Sequence, residues 1–133
     1  FVIKRLRGFS RNLRNEISKK SKYYFLDNGV RNAVISQFNG LSLRNDVGAL
    51  WENFIFMELV KKSAIADKPD NYYFWRTHSG QEIDIIKESS GEIYAIECKW
   101  HDRPAAVPEL WQKTYPEADF NVANRDNYLD FLL

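Results

Sequence analysis

Gly80-Gln81-Glu82-Ile83-Asp84-Ile85-Ile86 and Ile93-Tyr94-Ala95-Ile96-Glu97-Cys98-Lys99-Trp100 decide the reading of this chain. Both runs alternate apolar and polar residues, the period of a half-buried strand, and Ser89-Ser90-Gly91 between them supplies turn chemistry. Together they predict a β-hairpin. With a two-residue Ser90-Gly91 turn, Asp84 falls opposite Glu97, and opposite residues share one side of a sheet. One face is then expected to carry Glu82, Asp84, Glu97 and Lys99, with only the small Ala95 among them. The other is expected to carry Ile83, Ile85, Tyr94, Ile96, Cys98 and Trp100, a face suited to a hydrophobic core. Two carboxylates about 4 Å apart repel by roughly 4 kcal/mol at an effective dielectric near 20, so such a cluster calls for a cation or a raised pKa. A divalent metal is the natural partner.

Outward from the hairpin, Tyr72-Tyr73-Phe74-Trp75-Arg76 is a strongly β-prone strand. A long helix is predicted from about Asp46 to Lys62, acidic at its start and basic at its end as its dipole prefers. On that helix Glu52 has Gly48, Ala49, Ile55 and Phe56 three and four residues away, an apolar stripe, whereas Glu58 has Lys61 and Lys62 in reach and reads as a solvated, salt-bridged position. A carboxylate facing a core must be paired, hydrogen-bonded or metal-bound, so Glu52 points to the cluster on independent grounds. Earlier in the chain, Phe1 to Arg7 is extended and the stretch through Lys20 irregular. Lys22–Leu26 is strand-like, and Asp27-Asn28-Gly29 turns into a helix from Val30 to about Phe38, stopped by Asn39-Gly40. Beyond Trp100, Pro108 suits the first turn of a helix ending before Pro116, and Phe120-Asn121-Val122-Ala123 is a last strand. A strand, helix and strand after Glu97 predict a right-handed crossover.

The 133 residues, 15% of them aromatic, are enough for one domain with a real core. We expect an α/β fold in which residues 1–45 form a basic N-terminal extension, with a strand and a short helix, packed on a core of residues 46–133. The net charge of +1 conceals an asymmetry. Lys4, Arg5, Arg7, Arg11, Arg14, Lys19, Lys20, Lys22 and Arg31 face only Glu16 and Asp27 in the first part, and the remainder is net acidic. Such density of charge predicts a surface segment outside the core, meeting either DNA or a neighbouring domain. The single Cys98 can form no intramolecular disulfide and suits a reducing compartment. No stretch approaches the roughly 20 apolar residues of a membrane span, and none resembles a signal peptide, so a cytoplasmic location without membrane contact is expected. The opening Phe1-Val2-Ile3-Lys4, without an initiator Met, reads as part of a longer protein.

Asp84 followed on the next strand by Glu97-Cys98-Lys99 resembles the PD-(D/E)XK nuclease superfamily, with Ile83-Asp84 in place of Pro-Asp. The resemblance implies a restriction endonuclease-like core of helix, three strands, helix, strand, with Glu52 on the preceding helix completing the site. It also implies Mg²⁺ or Mn²⁺ held by Asp84, Glu97 and the Cys98 carbonyl, with Glu52 binding directly or through water and Lys99 orienting the nucleophile or steadying the developing charge. A second, narrower resemblance runs along nearly the whole chain. It is carried by Lys20-Ser21-Lys22-Tyr23-Tyr24-Phe25-Leu26-Asp27-Asn28-Gly29, by Gly48-x-x-Trp51-Glu52-Asn53-Phe54, by Tyr73-Phe74-Trp75-Arg76, and by the Glu82-x-Asp84 and Glu97-x-Lys99 pairs. Together these look like the uncharacterised domain that follows the ATPase module in many prokaryotic AAA-type ATPases. An upstream ATPase domain of the same polypeptide is thereby implied as a partner, and the chain has no Gly-x-x-x-x-Gly-Lys-Ser/Thr of its own.

Two functions stay open on the sequence. One is a metal-dependent nuclease cleaving DNA phosphodiesters; the other is a catalytically silent module that recognises DNA or protein and passes that contact to the ATPase. Asp84, Glu97 and Lys99 could also be a structural ion-pair group. Glu82 is expected behind the site rather than in it. Trp51, Trp75, Trp100 and Trp111 are expected mostly in the core, and His78 and His101 in loops without zinc-site spacing.

Overall fold

The structure, a computed structural model, describes residues 2–11, 16–17, 19–67 and 69–133; Phe1 and Arg14, named above, lie outside them. Its centre is set by a two-residue turn. Ser90 and Gly91 have φ of 51° and 89°, the conformation of a type I′ turn, whose twist matches that of two antiparallel strands. The turn joins β4 (Glu82–Ser89) to β5 (Glu92–Cys98) in the expected register, from Ser89 opposite Glu92 to Ile85 opposite Ile96. β3 (Asn71–Arg76) pairs antiparallel with β4, and β6 (Asp119–Ala123) pairs parallel with β5 after the short helix α3 (Glu109–Thr114).

β1 (Ile3–Gly8) and β2 (Ser21–Phe25) extend the sheet to six strands, mixed in direction and ordered β2-β1-β3-β4-β5-β6. β1 runs antiparallel to β2 and parallel to β3. The expectation that the basic N-terminal segment lies outside the core is corrected here. Strand alternation sends Leu6 into the core while Lys4, Arg5 and Arg7 stay exposed, so one strand can be both highly charged and central. Its charges are at the surface and its backbone is not.

Helix α1 (Asn28–Val34) starts where the Asp27 carboxylate accepts the Val30 N–H at 3.0 Å, as its sequence predicts, but ends short of Phe38. Helix α2 (Val47–Ala64) matches the long predicted helix. Asp46 stands at its N-cap, yet its carboxylate is taken by Arg31 at 2.7 Å and Arg44 at 2.8 Å instead of capping. A 3₁₀ turn at Leu41–Leu43 and a last short helix, α4 (Leu129–Leu132), were not anticipated by the pattern, since neither is long enough to show a period.

The sheet is filled on both faces. Trp51, Ile55, Phe56, Met57 and Leu59 of α2 cover Leu6, Tyr24, Phe74, Ile85, Ile96, Cys98 and Ala123. Trp111 and Tyr115, from α3 and its C-terminal end, cover Phe9, Trp75, Ile83, Ile86, Ile93 and Ala95. Three of the four tryptophans are buried, and Trp100 packs partly buried against Trp51. Ile83 therefore does not share a face with Ile85, as strict alternation predicts. Tyr73 pairs with Ile86 and Trp75 with Ile83, so β4 spends one residue more than β3 between these pairs. This β-bulge turns β4 over: Ile85 faces α2, and Ile83 faces α3.

Candidate functional site: an acid cluster around Lys22

Glu52 is delivered by a helix locked on both sides of it. The Trp51 indole N–H donates to the Ala123 carbonyl at 3.0 Å, fixing α2 to β6. Asn53 binds the backbone of β2 twice, accepting the Phe25 N–H and donating to the Phe25 carbonyl, each at 2.8 Å. Of the stripe around Glu52, Ile55 and Phe56 are buried while Gly48 and Ala49 are exposed, so Glu52 sits where the apolar face opens to solvent rather than in its middle. Glu58 pairs with Lys61 at 2.7 Å, the solvated position its spacing predicts.

The bulge brings Asp84 to this side of the sheet. Its carboxylate accepts the Cys98 N–H at 2.9 Å, next to the end of the β4–β5 ladder. Glu52, Glu82 and Asp84 then converge on a single ammonium, Lys22 Nζ, at 3.0, 2.5 and 3.7 Å. The Tyr24 hydroxyl, two residues along β2 on the same face, donates to Glu52. Arg76 clamps the second oxygen of Glu82 through Nε at 3.0 Å and Nη2 at 2.8 Å. Glu97 and Lys99 alternate with Ile96 and Cys98, so they share the side of Ala95 rather than that of Glu82, and they pair with each other at 2.7 Å. The single face expected to hold all four residues is thus divided by the bulge.

Charge binds the two halves nonetheless. Burial, then the neighbouring Glu52 and Glu97, raise Asp84 to a pKa of about 7 against the relief given by the Cys98 N–H and Lys22. Burial pulls the Lys22 ammonium down, but Glu52, Glu82 and Asp84 outweigh it and hold its pKa above the ordinary lysine value. At Glu82 burial acts upward and is outweighed by Lys22 and Arg76, leaving the carboxyl below its usual range. The hydrogen bond to Glu97 raises Lys99. Burial and then Glu52 push the Tyr24 hydroxyl far up, so it stays a donor. The Cys98 thiol is likewise raised, chiefly by burial, and is a packing group whose backbone, not its sulfur, meets the site.

A cavity of about 410 Å³ opens against Lys22, Tyr24, Arg31, Glu52, Arg76 and Glu82. Asp84, Glu97 and Lys99 do not line it. The donor chemistry, carboxylate oxygen from a helix and a strand, fits a hard divalent cation. The spacing is that of an ammonium-centred cluster: among the described residues, no three His, Cys, Asp or Glu side chains are drawn together as a metal would hold them. His78 and His101 are exposed.

Two residues of this cluster, Lys22 and Tyr24, were not anticipated as site residues. The available signal was their i, i+2 spacing on one strand, which puts both on the face that buries Tyr24. Glu82, expected behind the site, touches Lys22 more closely than Asp84 does.

Fold and site together define a mixed α/β domain with helices on both faces of its sheet and an acid and lysine cluster beside the N-terminal half of α2. Among the described residues, no helix is long and apolar enough to cross a membrane. Residues 47–126 match the model of the family described as a domain of unknown function, DUF4143, and the chain belongs to that family. The match takes in Glu52, Asp84, Glu97 and Lys99, while Lys22 and Tyr24 precede it. The chain is similar to an uncharacterized protein of Mycobacterium tuberculosis and one of Mycobacterium bovis, each 28% identical over 106 residues, which cover 78% of this chain and 23% of the relative. It thus spans about a quarter of the length of these relatives. No solved structure matches it.

Proposed function

We propose that this chain is a nuclease-like domain of a prokaryotic AAA-type ATPase, with a PD-(D/E)XK core, that cleaves DNA phosphodiesters with Mg²⁺ or Mn²⁺. The observation that carries this reading is the convergence of Glu52 from α2 with Glu82 and Asp84 from β4 on one cationic centre, with the Glu97–Lys99 pair close enough to perturb Asp84. Supporting it are the succession α2, β3, β4, β5, α3, β6, which has the element order of that superfamily core, and the Lys22, Arg31 and Arg76 side chains along the cavity, a cationic margin suited to a phosphate backbone. The free, buried Cys98 suits the reducing cytoplasm that this reading assumes.

In this reading Glu52 and Asp84 would offer carboxylate oxygens and Cys98 its carbonyl, with Glu97 approaching from the side of Ala95. The chemistry a divalent cation would supply there is a lowered pKa for an attacking water and polarisation of the scissile phosphate. Lys99, 42% exposed and paired with Glu97, would donate to a phosphate oxygen as charge develops on it. The water oxygen bonds to phosphorus as the bond to the leaving alcohol breaks, and the proton released by the water ends on that alcohol. Thermal melts with and without Mn²⁺ test the reading. A ligand bound only by the native cluster stabilises by about 2.7 kcal/mol at a hundredfold excess over Kd, and Asp84→Asn should abolish that shift together with cleavage of single-stranded, duplex or branched DNA.

A second reading is favoured by one observation: Lys22 already neutralises the cluster. It makes the chain a catalytically silent module that holds DNA or protein for the ATPase. Folded protein that binds Mn²⁺ in no measurable amount would select this reading over the first.

A further inference from the structure

We infer that the open sheet face of β1 and β2 on the α3 side binds single-stranded DNA, with Tyr23 as a stacking platform and Arg5 and Arg7 as phosphate contacts. The choice of DNA rests on the reading above; the surface itself stands apart from the acid cluster. Three observations carry it. First, the register pairs Ile3 with Phe25, Arg5 with Tyr23 and Arg7 with Ser21, and directly opposite residues share one side of a sheet. Leu6 and Tyr24, which alternate with them, are buried on the α2 side, so this set faces the other way. There the apolar cluster under α3 covers β3, β4 and β5, and among the described residues it takes in none of β1 or β2. Ile3 is 50% and Tyr23 64% exposed, and Arg5 and Arg7 are exposed beside them.

Second, the charge on this face has no acid to neutralise it. Arg5 donates to the neutral Ser21 hydroxyl at 2.7 Å, and among the described residues Arg5, Arg7, Lys19 and Lys20 enter no salt bridge. Glu88, an acid on the α3 side, is met by Arg11 at 3.9 Å. Glu52, Glu82 and Asp84 gather with Lys22 and Tyr24 on the opposite side of β2, so the sheet itself separates them from a phosphate bound here. Third, β1 splays away from β3: Arg7 and Gly8 pair with it, whereas Ile3 to Arg7 all pair with β2. A cavity of about 430 Å³ opens at the splay, lined by Lys4, Arg5 and Arg7 together with Asp70 and Asn71. Asp70 is bound to Lys87 at 3.2 Å, which leaves the cavity a positive balance suited to phosphate. Guanidinium groups alone would suit any polyanion. The exposed Tyr23 ring directly opposite Arg5 selects one with unpaired bases, because stacking needs a free base face, and strands held in a six-stranded sheet cannot enter a duplex groove as a free ribbon.

The test is fluorescence anisotropy of a dye-labelled thymidine oligomer of about 15 residues with the 133-residue chain, in EDTA so that no divalent ion takes part, over a series of salt concentrations. Wild type should bind, with log affinity falling linearly against log salt. Arg5→Gln combined with Arg7→Gln should lower that slope by about 1.4, at about 0.7 for each phosphate contact on a single strand. Tyr23→Ala should weaken binding about tenfold or more with the slope unchanged. Tyr23→Phe, which keeps the ring, should bind as wild type does. These side chains are exposed, and an unchanged melting temperature checks that each variant is folded. Absence of binding at low salt, an unchanged slope in the arginine variant, or wild-type affinity in Tyr23→Ala overturns the inference. A duplex of the same length bound as tightly overturns the single-strand preference, and a uridine oligomer bound more tightly overturns DNA as the occupant. Because metal is excluded, failure here leaves the cleavage reading standing, and failure to cleave leaves this surface standing.

Discussion

The two faces of the sheet each enclose acid, and they handle it in opposite ways. On the α3 side, Glu16 is 3% exposed and accepts hydrogen bonds from the Trp75 indole N–H at 2.6 Å and from the Tyr115 hydroxyl at 2.7 Å. Both donors belong to rigid aromatic side chains of the core, so the carboxylate works as a rivet between the segment after β1, strand β3 and the end of α3. On the α2 side, Glu52, Glu82 and Asp84 are partly open to solvent and share a cation on a long flexible stem. Enclosure with fixed donors makes a structural acid. Partial exposure beside a shared ammonium leaves an acid that solvent can reach.

The contrast breaks first at Glu16. Glu16→Ala leaves two buried donors without their acceptor and should cost about 3 kcal/mol in urea unfolding, while any Mn²⁺ affinity stays at the wild-type value. A smaller effect is expected from pH on the other face. Asp84 titrates near 3.8 in the unfolded chain and at about 7 when folded, so over that interval the folded state binds more protons. The contribution of this one group should therefore be fully present below the lower value and be lost as pH rises through the upper one, by on the order of 2 kcal/mol between about pH 5 and about pH 8. Asp84→Asn, compared with wild type in urea melts at both pH values, should flatten that slope; an unchanged slope would place its origin elsewhere. Glu52→Gln keeps an oxygen for the Tyr24 hydroxyl and removes only charge, and should change stability by about 1 kcal/mol or less. At the exposed Glu109–Lys113 pair on α3, Glu109→Gln should leave the urea midpoint where it was, since neither side chain is withdrawn from water. Glu16→Ala falling level with this last variant would erase the distinction between the two faces.

Local chemistry made the centre of the fold readable and left its assembly hidden. Ser90-Gly91 carries the turn conformation in two residues, so the hairpin and its register follow from them. Asp27 caps α1 through a contact three residues long, and α2 shows its length in its composition. The bulge has no such marker: Ile83-Asp84-Ile85-Ile86 contains no Gly or Pro, and only pairing with β3 reveals the extra residue. The place of β1 inside the sheet is equally non-local, since its charge points outward and its single buried Leu6 says little alone. Alternation and spacing drew attention to Glu52 and Asp84, which do meet at Lys22, but put Glu97 and Lys99 on a face that the bulge divides from Glu82. Lys22 was not legible, because a lysine on a basic segment carries no sign that a distant helix and strand will turn their carboxylates to it.

The carboxylate of Asp84 also has a part in the sheet that needs no reaction. Past Ile85 and Ile96 the regular ladder between β4 and β5 stops, and the Cys98 N–H, which a strand would ordinarily give to a neighbouring carbonyl, goes to this side chain. Asp84 thus substitutes for a missing piece of main chain. An apolar residue in its place would strand a backbone donor, at a cost of about 1–3 kcal/mol. Folding alone gives this chain a reason to hold an acid or amide here, so an aspartate at this place in a DUF4143 domain does not by itself attest to chemistry. Its companions Glu52 and Glu97 are not tied to the Cys98 N–H, so that structural task does not account for their carboxylates.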